Sequence, residues 1–213
     1  KSTVLDNPFA PDEVVKKIMG YEPTEKNVLL GTADKFMWEV YALGLRADAE
    51  NKIFKDYSFF DEIPTEYDYI FYGLDFGYAQ DPNGCVQTII SGNNIYLTEI
   101  LYENGLLNKE IADKIRPIVG DEILFCDSAE PKSIADLRLN YDIMSVPAKK
   151  GAGSIIEGIK RIKSFKIHIN KKSVNLQNEF QNYSFIIKAG KTIPEDKNNH
   201  LIDAVRYSLA HYR

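Results

Sequence analysis

The spacing of apolar and polar positions changes period several times along this chain, and each change marks an element. Tyr69-Ile70-Phe71-Tyr72-Gly73-Leu74 is an apolar and aromatic run too short for a helix; it reads as a strand that closes on Asp75. Gly84–Ile90 and Asn94–Tyr102 read as two more strands, with Ser91-Gly92-Asn93-Asn94 between them as a hairpin signal. The period then becomes helical over Leu107–Val119, with apolar residues at 107, 111, 115, 118 and 119. A strand over Glu122–Cys126, a helix over Lys132–Leu139 and a strand over Ile143–Val146 follow. Next come a helix over Ser154–Ser164 capped by Ser154, a strand over Lys166–Ile169 and a helix over Ser173–Tyr183. Phe185–Lys188 and Lys191–Ile193 form a short hairpin around Ala189-Gly190, and Asn198 or Asn199 caps the closing helix. This order, β-β-β-α-β-α-β-α-β-α-β-β-α, predicts an α/β fold: a mixed sheet flanked by helices.

Residues 1–67 read differently. Asp12 is placed to cap a short helix running to about Met19, and a second helical stretch covers Glu25–Leu30. The irregular remainder contains Trp38, Tyr41 and Phe54. We expect 1–67 to be a lead-in segment and 68–213 the domain. The chain opens on Lys1 rather than Met, so it is expected to be a piece of something longer. Internal repeats and low-complexity tracts are absent from the sequence.

Composition narrows the class. With 213 residues, 44% of them hydrophobic, the chain can bury an ordinary core, yet no apolar run reaches a membrane span. Cys85 and Cys126 both fall in apolar strands and are expected to be buried thiols rather than a disulfide, and no Cys/His cluster has zinc spacing. Charge is uneven. Residues 1–68 carry 14 acids against 8 Lys/Arg, whereas 144–172 carry 8 Lys/Arg against Glu157 alone, a local +7 in a chain of net charge −5. That basic tract is either a phosphate-facing patch or a solvated helix face. Within it Pro147-Ala148-Lys149-Lys150-Gly151-Ala152-Gly153-Ser154 feeds a helix N-terminus, and Lys149 and Lys150 are read as DNA-backbone contacts. The string is not a P-loop.

Three acids carry the chemistry. Asp75 ends one strand, Asp127 ends Ile123-Leu124-Phe125-Cys126, and Asp203 sits inside His200-Leu201-Ile202-Asp203-Ala204-Val205-Arg206-Tyr207. Strand ends are where open α/β sheets place ligands, and unpaired buried carboxylates need a cation or hydrogen bonds. Mg²⁺ and Mn²⁺ prefer oxygen donors, and two such ions roughly 3.5–4 Å apart clamp the attacking and leaving oxygens of a phosphodiester. His200 lies one turn before Asp203 and shares its side, as a phosphate contact, proton shuttle, minor metal ligand or simple cap. Lys132 follows Asp127 closely and is a candidate phosphate contact, while Glu130 is placed to complement a helix dipole.

The strings Gly73-Leu74-Asp75-Phe76-Gly77-Tyr78-Ala79-Gln80-Asp81-Pro82, Asp127-Ser128-Ala129-Glu130-Pro131-Lys132-Ser133 and Asn199-His200-Leu201-Ile202-Asp203-Ala204-Val205-Arg206-Tyr207 resemble the nuclease domain of tailed-phage terminase large subunits, in that family's order. Leu5-Asp6-Asn7-Pro8-Phe9 and Tyr41-Ala42-Leu43-Gly44 resemble the segment that links its ATPase to its nuclease. The resemblance implies a ribonuclease-H-like fold and an endonuclease that cuts concatemeric phage DNA during packaging in the host cytoplasm. It assigns Asp75, Asp127 and Asp203 as ligands of Mg²⁺ or Mn²⁺, with Asp81 as an auxiliary acid; the alternative for Asp81 is a turn through Asp81-Pro82-Asn83-Gly84. Double-stranded DNA is the implied partner, with the portal and small terminase subunit reached through the full-length protein. Walker motifs are missing, so no ATP hydrolysis is expected of this chain. Two competitors stay open: another ribonuclease-H-like nuclease of resolvase or integrase type, which would prefer branched DNA, and a non-catalytic DNA- or portal-docking module, which would need no metal.

Overall fold

The structure, a computed structural model, describes residues 3–34, 37–43, 51–77, 80–151, 153–188 and 191–212. Tyr78-Ala79, Gly44, Ala152 and the hairpin turn Ala189-Gly190 lie outside the described residues. The chain divides into two compact units, residues 1–50 and 51–213. In the first, α1 is Asp12–Gly20 and α2 is Glu25–Leu29, followed by a π-helical turn at Trp38–Ala42. Asp12 does not cap α1. Pro11 holds the cap position, and Asp12 lies in the first turn, where its charge still suits the helix dipole. Thr24 caps α2 by accepting the N–H of Asn27.

The second unit is built on a seven-stranded sheet. Its strands are β1 (Tyr57–Phe60), β2 (Tyr69–Asp75), β3 (Pro82–Ser91), β4 (Asn94–Asn104), β5 (Leu124–Cys126), β6 (Ser145–Pro147) and β7 (Lys166–Asn170), in the order β1-β7-β4-β3-β2-β5-β6. The meander β2-β3-β4 is antiparallel. The outer strands are parallel to their neighbours, β5 and β6 beside β2, and β7 and β1 beside β4. This is the mixed sheet expected from the order of elements. Its helices are α3 (Asn108–Val119), α4 (Pro131–Asn140), α5 (Ser154–Lys163), α6 (Val174–Asn182) and α7 (His200–Ser208), and β8 (Phe185–Lys188) pairs with β9 (Lys191–Pro194) as a separate hairpin. Among the described residues no helix is long and apolar enough to cross a membrane.

Each face of the sheet has its own core. Ile111, Ile115 and Val119 of α3 and Ile134 and Leu137 of α4 pack on Leu74, Cys85, Leu124 and Cys126. Ile159 and Ile162 of α5, Leu176 and Phe180 of α6, and Leu201, Ile202 and Val205 of α7 pack on Val86, Ile90, Leu97 and Ile169. Cys85 and Cys126 are free and buried, as expected, and burial pushes the Cys85 thiol up to about 12.

Four further details differ from the sequence reading. Tyr57–Phe60, within the expected lead-in, is an edge strand paired with β7. Its half-exposed side chains give only a weak alternation to detect. Pro82-Asn83-Gly84 is no turn but the start of β3, paired with Asn104, Glu103 and Tyr102. Ser154 is the first residue of α5, and Gly153, with φ of 79°, precedes it in the cap position. Strand β6 starts two residues late because Ile143 bonds back to the Leu137 carbonyl at the end of α4.

Helix α7 positions the site, and two glycines let it come close. A Cβ on Gly73 would stand 1.8 Å from the Ala204 carbonyl oxygen, and one on Gly84 would stand 3.2 Å from the His200 carbonyl carbon. Glycine weakens a strand interior, so backbone contact of this kind is the compensating gain. A buried hydroxyl pair, Ser208 to Thr88 at 2.8 Å, fastens the other end of the helix to β3.

Candidate active site

Asp75, the last residue of β2, is buried to 8% exposure and meets His200 of α7, with 2.9 Å between its Oδ2 and Nδ1. Burial raises the Asp75 pKa, and the hydrogen bond to His200 works against that rise. Asp127 follows β5 and is tied to the neighbouring strand by its own N–H, which donates to the Leu74 carbonyl at 3.0 Å. Its Oδ1 accepts the N–H of Ala129 at 2.8 Å, an Asx turn that swings the chain toward α4. The same oxygen pairs with Lys150 Nζ at 2.5 Å, and the Tyr207 hydroxyl lies 3.4 Å from Oδ2.

Asp203 lies one turn beyond His200, and Arg206 donates to its Oδ1 from the following turn. Burial pushes the Asp203 carboxyl up to about 6; Arg206 opposes the shift and the charge of Asp75 adds to it. The three acids therefore feel one another: Asp127 raises Asp75, Asp75 raises Asp203, and Lys150 lowers both. Residues 52 and 76 positions apart in sequence (75 to 127, 127 to 203) meet because β5 lies beside β2 and α7 crosses both.

His200 is held above its ordinary pKa chiefly by the hydrogen bond to Asp75, against the effect of burial. Its Nε2 stands 3.8 Å from Asp81 Oδ1, whose side chain is 72% exposed. Asp81 thus reaches the cluster only through His200. Lys149 is exposed beside Lys150 on the loop before α5, and Lys132 is exposed in the first turn of α4, outside the set that meets here.

Three residues of the site escaped the sequence reading. Tyr207 is 4% exposed, with Lys150 Nζ 4.7 Å over its ring, and burial pushes its phenol far up. Arg206 is 6% exposed and neutralises Asp203. Glu179 on α6 is 3% exposed; its Oε2 accepts the N–H groups of Leu201 and Ile202 at 2.9 and 3.0 Å, capping the first turn of α7 from another helix. Its Oε1 is buried with no hydrogen-bond partner among the described residues, and burial pushes its carboxyl up to about 7. A signal existed: Glu179 falls on the apolar stripe of α6, three residues after Leu176 and just before Phe180.

Carboxylate oxygens are the donors that hard divalent cations prefer, so the site fits such an ion in kind. Among the described residues, no three His, Cys, Asp or Glu side chains are gathered tightly enough to hold one. Lys150 pairs with Asp127 and Arg206 with Asp203, supplying positive charge to two of the acids, while His200 is hydrogen-bonded to Asp75.

A mixed sheet of this order, with acids at two adjacent strand ends and on the helix crossing them, defines a ribonuclease-H-like nuclease domain. The chain belongs to the terminase ribonuclease-H-like domain family, which it matches over residues 75–211. It is 30% identical over 217 residues to the terminase large subunit of Bacillus phage SPP1, covering 98% of this chain and 50% of that protein, so it spans about half of this relative's length. The nuclease domain of the SPP1 large terminase with bound Mn superposes with a TM-score of 0.64 at 31% identity, over 73% of this chain and 96% of that one. The large terminase of thermophilic bacteriophage D6E (TM-score 0.63, 20% identity, 98% and 54% covered) shares the fold. So does the large terminase nuclease of phage G20c with bound magnesium (TM-score 0.55, 14% identity, 78% and 100% covered).

Proposed function

We propose that this chain is a divalent-metal-dependent DNA endonuclease that cuts concatemeric phage DNA during genome packaging. The observation that carries the reading is the meeting of Asp75, Asp127 and Asp203 from two strand ends and α7, two of them with pKa values raised by burial. The Mn and Mg in the SPP1 and G20c nucleases support the choice of metal. Asp75, Asp127 and Asp203 would hold two Mg²⁺ or Mn²⁺ ions, with Asp81 outside them, and such ions would supply Lewis acidity toward a phosphodiester and its attacking water.

The chain's own residues do the rest. Asp75 fixes His200 by Nδ1, so Nε2 is left to hold a proton on the side facing Asp81. Arg206 orients Asp203. Lys150 pairs with Asp127 at the edge of the site, where its ammonium would be placed to contact a backbone phosphate. Lys149 and Lys132 contact the backbone further out. Binding of this kind is salt-sensitive and reads little base sequence. Double-stranded DNA is the substrate, and the portal and small terminase subunit are partners of the full-length protein in the host cytoplasm.

The test is cleavage of supercoiled plasmid with Mn²⁺, with Mg²⁺ and with EDTA, beside Asp127→Ala. Cleavage that requires metal and disappears with Asp127 is the expected result. Metal-independent cutting, or an Asp127→Ala protein as active as wild type, would sink the reading.

A further inference from the structure

Beside the acids lies a cleft of about 340 Å³ between α5 and the turn that follows α7. It shares Lys150, Arg206 and Tyr207 with the candidate active site but contains none of its three aspartates. Lys149, Arg161 and His211 also line it, and Glu157 is the one acid among its described lining residues. A concave surface with this excess of positive charge selects for an anion.

Three features make it a built site rather than a scatter of surface lysines. Arg206 is nine-tenths buried, and its Nε has no hydrogen-bond partner among the described residues. Helix α5 opens onto the cleft at Ser154 without any side-chain cap; the Ser154 N–H is satisfied by the Gly151 carbonyl at 3.0 Å, and the positive end of the helix dipole lies at the cleft. Gly158, inside that helix, makes room for Arg206 against the cleft wall: a Cβ there would stand 2.9 Å from Cγ and Nε of Arg206. Arg161 is held in place by its bond to the Leu209 carbonyl at 2.5 Å, and His211 by stacking on Phe125 at 5.0 Å between ring centroids.

We propose that this cleft is a second phosphate subsite, which takes a backbone phosphate of duplex DNA next to the one being cut. The inference rests on the nuclease reading above. Lys150 is the link, since it reaches Asp127 on one side and lines the cleft on the other. A strand laid across it places successive phosphates at the acids and at the end of α5. Such a subsite sets the register of the scissile bond without reading sequence.

The experiment measures binding of the 213-residue protein to a fluorescent duplex, in EDTA and across a salt series, with plasmid cleavage alongside. Lys149→Ala/His211→Ala changes two exposed cleft residues. Lys160→Ala removes a basic residue of the same helix that does not line the cleft. We expect the double variant to bind ~10-fold more weakly, with a salt slope shallower by about one to two, and Lys160→Ala to stay near wild type. A neutral methylphosphonate walked along one strand should weaken wild-type binding at a particular offset from the cut, an offset the double variant ignores. Double and control variants that match in affinity, salt slope and methylphosphonate response would overturn the subsite. So would displacement of the duplex by millimolar mononucleotide through Lys149 and His211. If no metal supports cleavage yet duplex binding still depends on those two residues, the nuclease reading fails and the subsite stands.

Discussion

At the scale of single residues, Asp203 is the acid most at odds with its surroundings. Its carboxyl is pushed up to about 6 by burial despite Arg206 beside it, so ionising it near neutral pH opposes folding unless a cation compensates. We expect Asp203→Asn to raise the melting temperature in EDTA, at about 2–4 °C per kcal/mol for a chain of this size. On the proposed nuclease reading, in which Asp203 holds metal, the same change should lower cleavage by ~1,000-fold. Scanning calorimetry beside plasmid cleavage checks both; a destabilised variant in EDTA would refute the balance drawn here. Glu179 is the opposite case, a buried acid that supports structure directly. Glu179→Ala leaves two helix N–H groups unpaired, at roughly 1–3 kcal/mol each, and should destabilise the protein in urea denaturation. Glu179→Gln keeps one acceptor and should recover much of that loss.

At the scale of elements, α7 carries His200 and Asp203, and its distance from the sheet is set at Gly73. Gly73→Ala places a methyl 1.8 Å from the Ala204 carbonyl, and backbone on backbone leaves nothing flexible to yield. We expect a loss of about 3 kcal/mol or more, hence roughly 6–12 °C in melting temperature. Activity should fall beyond what unfolding explains, because the displaced helix carries half of the site. Full activity of the folded fraction would show that the close approach does not matter for chemistry. Most elements were legible beforehand: β2, α5 and β8 matched their apolar runs almost residue for residue, because their patterns are long or bounded by clear turns. Strand β1 was not, since four half-exposed edge residues carry too little pattern, and the start of β3 was hidden by a sequence that equally suits a turn.

At the scale of the whole molecule, the raised acids act together. Asp203 rises from 3.8 to about 6 and Glu179 from 4.5 to about 7, so the folded protein holds protons that the unfolded chain has released. Their contribution is greatest below pH 4 and is lost as pH climbs to about 7. His200, also raised above its unfolded value, adds stability below pH 6.5 that is lost as pH passes its folded value. All three act in one direction. In EDTA the melting temperature should therefore fall between pH 5 and pH 8, while Mn²⁺, which on the proposed metal site would bind the ionised acids, should stabilise more at pH 8 than at pH 5. Equal metal-induced shifts at the two values would contradict this.

By itself the sequence determined the mixed α/β order, the two buried thiols and the three acids, because strand period, helix period and a carboxylate at the end of an apolar run are local signals. Asp75 and Asp127 stood out as candidates because each ends an apolar strand, and Asp203 because it interrupts the apolar stretch of its helix. The partners of Asp75 and Asp127 were decided only in three dimensions, whereas Arg206 meets Asp203 within one helix turn. Lys150 lies 23 residues from Asp127 on a loop, and Glu179 lies 22 residues from the helix turn it caps. Those pairings follow from β5 adding beside β2 and from α7 settling onto Gly73, packing choices that no stretch of neighbouring residues encodes.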